Sequence, residues 1–379
     1  MNYVNFVWKN MVRNKRRTLL TVLSIALSLF VLSTLMTVLT ELNREPEGED
    51  THLRLVVRRA TSLGDRLPEA YAAKLKRVPG VKLVHALSWF GGIYIDEANF
   101  FANFACDPDT LFPMFSENHL PPEQLQTFQK ERTAAVAGRR LVERFKWRLG
   151  DRITLQGTIY PVDLEFVLRG IYTGADETAF FFHRAYLEEA LGRPGKVGSF
   201  WLKAASTADV PRVMEAVDTM FKNSDAETKT ETERAFQLGF VSMLGNVKTL
   251  ITSISSVVVF TILLVTANTM AMSIRERARE IAILKTLGFG RHRLLGILVG
   301  ESAAIALTGG VVGCVGARLF YSMVDVWRYT KGMFPVFAVE PSTILLGLVL
   351  SVLIGVASAA FPAVRVSRLT IAQALRRVG

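Results

Sequence analysis

The chain has 379 residues, half of them hydrophobic, a mean hydropathy of +0.27 and a net charge of +11. An ordinary water-soluble globule is less apolar, so this composition excludes that class and points to the membrane. The positive charge would suit nucleic acid or an anionic bilayer surface, and only its placement along the chain separates the two.

Residues 1–17 place Val4, Val7, Trp8 and Met11 at helical spacing, with Lys9, Arg13 and Lys15 elsewhere on the wheel. This predicts a cytoplasmic amphipathic helix, either lying in the interface or simply extending the span that follows. A bilayer core about 30 Å thick takes roughly 20 mostly apolar residues to cross. Residues 18–41 meet that requirement. Their apolar run is too long for a signal-peptide core and no small-x-small cleavage site closes it, so a retained span is expected in preference to a cleaved leader.

Residues 42–245 have mixed composition and cannot lie in lipid; their length allows one or two packed domains. Strands are expected at 53–58, from 81, and at 133–137, 153–155, 164–172 and 200–203; helices are expected at 69–77, 139–146, 183–191 and 208–221. The pattern implies an α+β (mixed α/β) domain in two lobes, with the internal boundary at Pro121 and Pro122. The aromatic runs 89–94, 100–104 and 180–182 read either as strand core or as a surface for lipid or hydrophobic cargo. From Thr232 the helical pattern continues into the next span. One continuous helix is expected, because a mid-helix glycine costs only about 1 kcal/mol, with a flexible join at Gly239 or Gly245 as the alternative.

Three further spans follow at 246–273, 294–324 and 341–364, with a connection at 274–293, a short outer loop at 325–340 and a tail at 365–379. The fold class is therefore an α-helical membrane protein with four transmembrane helices and a large α+β extracytoplasmic domain between the first two. Lys9, Arg13, Lys15, Arg16 and Arg17 precede span one, while Glu41, Glu45, Glu47, Glu49 and Asp50 crowd its far end. Arg275, Arg277, Arg279, Lys285, Arg291 and Arg293 separate spans two and three, and Arg365, Arg368, Arg376 and Arg377 follow span four. By the positive-inside rule both termini and the 274–293 connection are cytoplasmic, and the large domain is outside. The charge thus serves the membrane, and no nucleic-acid partner is expected.

Spans three and four carry small residues at four-residue steps: Gly309, Gly313 and Ala317 on one, Gly347, Ser351, Gly355, Ala359 and Ala363 on the other. Such faces allow close backbone approach, either within the subunit or across a dimer. Glu301 and Arg318 are charges inside span three and are candidates by that fact alone, although both can be satisfied near an interface. Cys106 and Cys314 lie in different compartments, so no disulfide is expected. No catalytic, cofactor-binding or metal-binding residues are expected: there is no G-x-x-x-x-G-K-[ST] loop, and the five histidines show no metal-ligand spacing.

Residues 273–288 read SIRERAREIAILKTLG, in which Ile281, Leu284 and Leu287 or Gly288 share one helical face while Arg277, Glu280 and Lys285 point elsewhere. On physical grounds such an apolar ridge suits a partner's groove or the headgroup layer equally. The stretch resembles the coupling-helix signature of the MacB/FtsX-type (type VII) ABC transporter permeases, an R/E-rich turn followed by an "EIA-LK-LG" core. Residues 136–155 (VAGRRLVERFKWRLGDRITL) and 361–376 (FPAVRVSRLTIAQALR) are similar to two further family stretches, with Thr370 and Ile371 where many relatives carry Asp-Pro.

The resemblance implies a permease subunit, not itself an enzyme, in a bacterial inner membrane. In it Arg277, Glu280, Ile281, Leu284, Lys285, Leu287 and Gly288 dock a cytoplasmic ABC ATPase dimer, which binds ATP and Mg. It further implies a second permease copy or a homologous permease, contact with membrane lipid, and a periplasmic adaptor or outer-membrane component as a further partner. The function implied is mechanotransmission, the coupling of ATP hydrolysis in the partner to movement of the outer domain, for export or extraction of a lipoprotein, peptide, antibiotic or lipid. The alternatives are a division-type regulator that switches a cell-wall hydrolase, and an ATPase-independent receptor.

Overall fold

The computed structural model describes residues 14–44, 48–243, 245–330, 334 and 337–367. Most of the expected amphipathic start and the tail beyond Ser367 lie outside these residues. The chain forms two compact units, one of four long helices and one of Asn43–Gly245 to which Trp327–Pro335 belongs. The first long helix, α1 (Lys15–Leu42), contains no proline or glycine and extends slightly beyond the expected span at both ends.

In the α/β unit β1 (Arg54–Arg59), β2 (Leu67–Pro68), α2 (Tyr71–Leu75), β3 (Val81–Trp89) and β4 (Asn103–Cys106) come first. They are followed by α3 (Pro108–Met114), α4 (Pro122–Lys130), β5 (Ala134–Gly138), α5 (Arg139–Phe145), β6 (Arg152–Leu155), β7 (Leu164–Tyr172), β8 (Phe180–His183) and α6 (Arg184–Ala190). The unit closes with β9 (Lys196–Val197), β10 (Ser199–Ala204), α7 (Val210–Phe221), β11 (Thr228–Thr232) and α8 (Glu233–Met243). Nine strands form one mixed sheet in the order β11-β1-β10-β3-β4-β8-β5-β7-β6, while β2 pairs only with β9. The pairs β4–β8 and β5–β7 are parallel, and the remaining neighbours antiparallel.

Alternation along the strands sorts side chains onto two faces, and both are covered. Val84, Ala86, Phe200 and Leu202 meet Tyr71 and Leu75 of α2 and Val213, Val217 and Phe221 of α7. Further along, Ala105, Ala135, Phe166, Phe180 and Phe182 meet Leu141 of α5 and Leu187 of α6. Val56, Leu87, Val136, Phe181 and Trp201 pack with Leu111 and Met114 of α3 and Phe128 of α4. Trp327 is buried in the same cluster as Phe166 and Phe180, with the Arg144 guanidinium 4.5 Å from its ring.

The expected division into two lobes is not what forms. Pro121 and Pro122 begin α4, where a proline at the first helical positions loses no hydrogen bond, and α4 packs on the common sheet. The aromatic runs fall mostly in the core: Phe101, just before β4, and Phe180 and Phe182 of β8 are fully buried, whereas Trp89 at the end of β3 is 41% exposed. The expected continuous helix into span two is also broken. α8 ends at Met243, and Gly245 adopts φ +76, a left-handed conformation that glycine takes without steric cost and that no helix tolerates.

The chain continues with α9 (Val247–Glu276), α10 (Ala278–Thr286) and α11 (Arg291–Met323) of the helical unit, α12 (Val326–Tyr329), which from Trp327 on belongs to the α/β unit, and α13 (Pro341–Ser367), again of the helical unit. Helices α1, α9, α11 and α13 are long and apolar enough to cross a bilayer, with Leu23, Val257, Leu319 and Leu345 exposed along them. This is a membrane protein. The small residues of spans three and four are used inside this unit. A Cβ on Gly309 would stand 2.8 Å from the Ile25 side chain, and one on Gly313 would collide with the Ala26 carbonyl, so α11 lies directly on the α1 backbone. A Cβ on Gly355 would stand 2.8 Å from that of Ala306, and Gly347 faces Cys314, so α13 lies on α11. Ser351, Ala317, Ala359 and Ala363 are fully buried on the same faces. The close approach these faces permit is therefore made within the subunit.

Candidate docking helix and its ionic anchor

Helix α9 runs three residues past the expected end of span two and stops where Arg277 leaves helical geometry, at φ −98 and ψ 8. The Arg277 carbonyl accepts the Ile281 amide at 2.9 Å, which starts α10 in a new direction. At the other end Gly288 takes φ +86. Its amide donates to the Lys285 carbonyl and the Phe289 amide donates to the Leu284 carbonyl, both at 3.1 Å. This is a Schellman closure, and the apolar pair that accompanies it, Leu284 and Phe289, packs on one buried cluster with Ile274, Leu294 and Ala363. Gly288, expected as a docking residue, thus also ends the helix.

Nine residues make two and a half turns, and the two faces of α10 go to different environments. Ile281 and Ala282 are buried, and Leu284 packs beside Ile281. Glu280, Ile283 and Leu287 follow the spacing i, i+3, i+7 and are exposed, Ile283 by 50% and Leu287 by 70%. Among the seven residues expected to dock a partner, Glu280, Leu287 and Gly288 are exposed, and Lys285 and Leu284 are half-buried. Ile281, expected on the apolar ridge, and Arg277, expected off it as a contact residue, are both turned inward, which corrects both placements. Ile283 was not expected on the outer face. Its i+4 spacing to Leu287 was readable, but Ile281 and Leu284 offered a competing apolar stripe and only burial separates the two.

Arg277 is 6% exposed and Glu301, one of the two charges flagged in span three, is 2% exposed. The Arg277 Nη1 donates to Glu301 Oε2 at 2.6 Å. A buried pair of this kind is costly to break, roughly 3–5 kcal/mol, because removing one partner strands the other charge. Nearer the surface, Arg17 of α1 donates to Ser273 Oγ at 2.9 Å and forms an ion pair with the half-exposed Glu276. Exposed pairs of that type contribute only about 0–1 kcal/mol. Arg318, the other flagged charge, is exposed. One residue beyond Glu301, the Ser302 hydroxyl lies 3.2 Å from that of Ser358 on α13.

The α/β unit has its own buried charge centre. Arg54, the first residue of β1, is 1% exposed and reaches Glu233, the first residue of α8, at 2.6 Å and Glu117 at 2.7 Å. Burial, opposed by Arg54, holds the Glu233 carboxyl above the usual carboxylate range. His85 is buried against Thr110, Nδ1 to Oγ1 2.7 Å, and burial lowers its pKa to about 3. Among the described residues no three His, Cys, Asp or Glu side chains gather in a group that could hold a metal.

Two family models match the chain. One described as MacB-like periplasmic core domain covers residues 18–220, and one described as FtsX-like permease C-terminal covers residues 252–371. An uncharacterized ABC transporter permease of Methanocaldococcus jannaschii is 24% identical over 98% of this chain and 97% of its own length. An uncharacterized ABC transporter permease protein of Mycobacterium tuberculosis is 22% identical over 70% of this chain, and a macrolide export ATP-binding/permease protein MacB of Bdellovibrio bacteriovorus is 25% identical over 48%. The matches span 31% and 28% of those two longer proteins. Among solved structures, the periplasmic region of MacB from Actinobacillus actinomycetemcomitans aligns with 50% of this chain and 92% of its own at 11% identity and a TM-score of 0.37. The extracellular domain of the ABC-type transporter YknZ from Gram-positive bacteria aligns with 47% of this chain and 98% of its own, at 13% identity and a TM-score of 0.36.

Proposed function

Because the chain belongs to the MacB/FtsX family of ABC transporter permeases, we propose that it is a mechanotransmitting membrane subunit driven by a cytoplasmic ABC ATPase carried on another chain. The observation that supports this reading is the two-faced α10. Its inner face is seated on the helical unit through Ile281 and Leu284, while Glu280, Ile283 and Leu287 present a charged and apolar strip of the size a partner's groove accepts. Arginines flank α10 and Lys285 lies within it, so the positive-inside rule puts this strip, with both termini, in the cytoplasm and the α/β unit outside. ATP and Mg bind the partner, two permease chains work with two ATPases, and the substrate is a lipoprotein, peptide, antibiotic or lipid already at the outer face.

Co-purification from native membranes in mild detergent, followed by an ATPase assay, tests this. The wild-type chain is expected to carry a phosphate-loop ATPase, and the double variant Ile283→Asp with Leu287→Asp is expected to lose it by at least about tenfold, as for truncation of an interface anchor. The free thiols of Cys106 and Cys314, one in each unit, should remain protected in both proteins. An ATPase retained at wild-type yield removes the docking assignment; a wild-type chain that carries none supports a receptor instead.

A further inference from the structure

The geometry points to Arg277 as a positioning residue: its buried ion pair with Glu301 makes α10 and α11 move as one body, so that a push on the docking helix enters the membrane through span three. This rests on the docking reading of α10, but it concerns a residue which that reading had counted among the contacts.

Three observations carry it. First, Arg277 occupies the bend between α9 and α10, where the chain leaves helical geometry and where α10 could otherwise pivot. The guanidinium reaches across to a different helix, 24 residues on in sequence, and fixes that pivot. Second, the anchor is dry. With 7% and 3% of the side chains accessible, the attraction is little screened by water or salt, unlike the Arg17–Glu276 pair at 19% and 47%. Third, Glu301 is well placed to pass a displacement onward. Ser302 beside it faces Ser358, and Gly355 packs on the Ser302 carbonyl and the Ala303 Cα, so a shift of α11 at this level acts directly on α13. A charge pair buried in a span is costly to keep, and one at the root of a short helix gives that helix a fixed bearing on the bundle.

The test uses the full chain in nanodiscs with its ATPase. Glu301→Gln removes the charge at nearly constant shape, Arg277→Lys keeps the charge without the guanidinium fork, and Arg277→Glu with Glu301→Arg restores the pair in reverse. Spin labels at Thr286→Cys and Leu307→Cys, both exposed and neither in the docking strip, in a background lacking Cys106 and Cys314, report the bearing of α10 on α11 with or without ATPase. The width of the label distance distribution is expected to grow roughly twofold in Glu301→Gln and to return in the reversed pair. In parallel, the ATPase should stay bound in Glu301→Gln while the rate change caused by the permease falls about tenfold, because the outer strip is untouched. A distribution that stays narrow in both Glu301→Gln and Arg277→Lys overturns the inference, whatever the ATPase does. Broadening with no ATPase bound to any form, the wild type included, leaves the anchor standing and defeats the docking reading instead. Loss of both in Glu301→Gln without recovery in the reversed pair counts the residues as fold determinants only and also overturns the inference.

Discussion

Among the described residues each unit buries one arginine, and the two are neutralised differently. In the α/β unit Arg54 faces two carboxylates, Glu117 and Glu233, donates a third contact to the Met114 carbonyl at 3.3 Å, and lies 5.1 Å from the centre of the Phe115 ring. In the helical unit Arg277, at the bend after span two, meets Glu301 of span three in a dry contact. Glu117 keeps 15% of its side chain accessible, so part of the excess negative charge beside Arg54 is met by water, while burial in the first place, with a smaller push from Glu117, raises the pKa of Glu233. Arg277 and Glu301 keep only 7% and 3% of their side chains accessible, so water supplies little of their neutralisation and protein groups must supply it. Both centres sit at the start of an element. Arg54 ties the first residue of β1 to the first residue of α8, and Arg277 ties the start of α10 to α11.

Cys106 and Cys314 are free and buried, one in each unit, so the rate at which each thiol becomes labelled reports each centre separately. Arg54→Met should have the largest effect: stranding Glu233 among apolar neighbours destabilises the α/β unit by about 3–5 kcal/mol, raising Cys106 labelling about 10²–10³-fold with Cys314 unmoved. Equal labelling of both thiols would mean that the units unfold together and that the comparison is of one centre, not two. Next, Gly313→Ala drives a methyl into the Ala26 carbonyl and should cost about 1–3 kcal/mol, read as faster Cys314 labelling. Gly316→Ala, whose Cβ meets nothing within 4 Å, should change nothing.

A smaller effect follows from His85. Its pKa in the folded chain is about 3, so between the ordinary value of 6.5 and 3 only the unfolded chain takes up the proton, and stability falls as the pH falls through that window. At pH 5.5 the contribution lost is about 1 kcal/mol, and it should be absent from the pH profile of Cys106 protection in His85→Asn. A profile that keeps its slope would assign the acid sensitivity to another group. The smallest effect belongs to Arg17→Ala, which removes a partly exposed pair worth about 0–1 kcal/mol and should vanish in high salt.

Much of the fold was legible in advance. β7 falls at the expected 164–172, and every expected span lies within a few residues of its helix. What failed was local punctuation. Gly245 reads as a tolerable helix residue until its φ is known, and Pro121–Pro122 reads as a boundary although it also suits a helix start. β4 and β8 were visible only as the aromatic runs 100–104 and 180–182, with strand core and a binding surface both open, because all four residues of β8 are buried and leave no alternation to detect. In the candidate site, the docking segment was visible from its sequence signature. The residues that face outward were not, and Glu301 was visible only as an unusual charge without a partner.

The sequence by itself determined four spans, an α/β insertion between the first two and a short charged helix after the second, because the thickness of a bilayer and the absence of water within it dictate length and composition whatever the neighbours are. Tertiary structure alone decided that Ile281 and Arg277 turn inward, that Ile283 and Leu287 turn outward, that the glycine faces of α11 and α13 are used within the subunit, and that Arg277 finds Glu301. Helical periodicity states which residues share a face, but which of two apolar faces is covered depends on the helices that pack against it, and these lie far away in the chain.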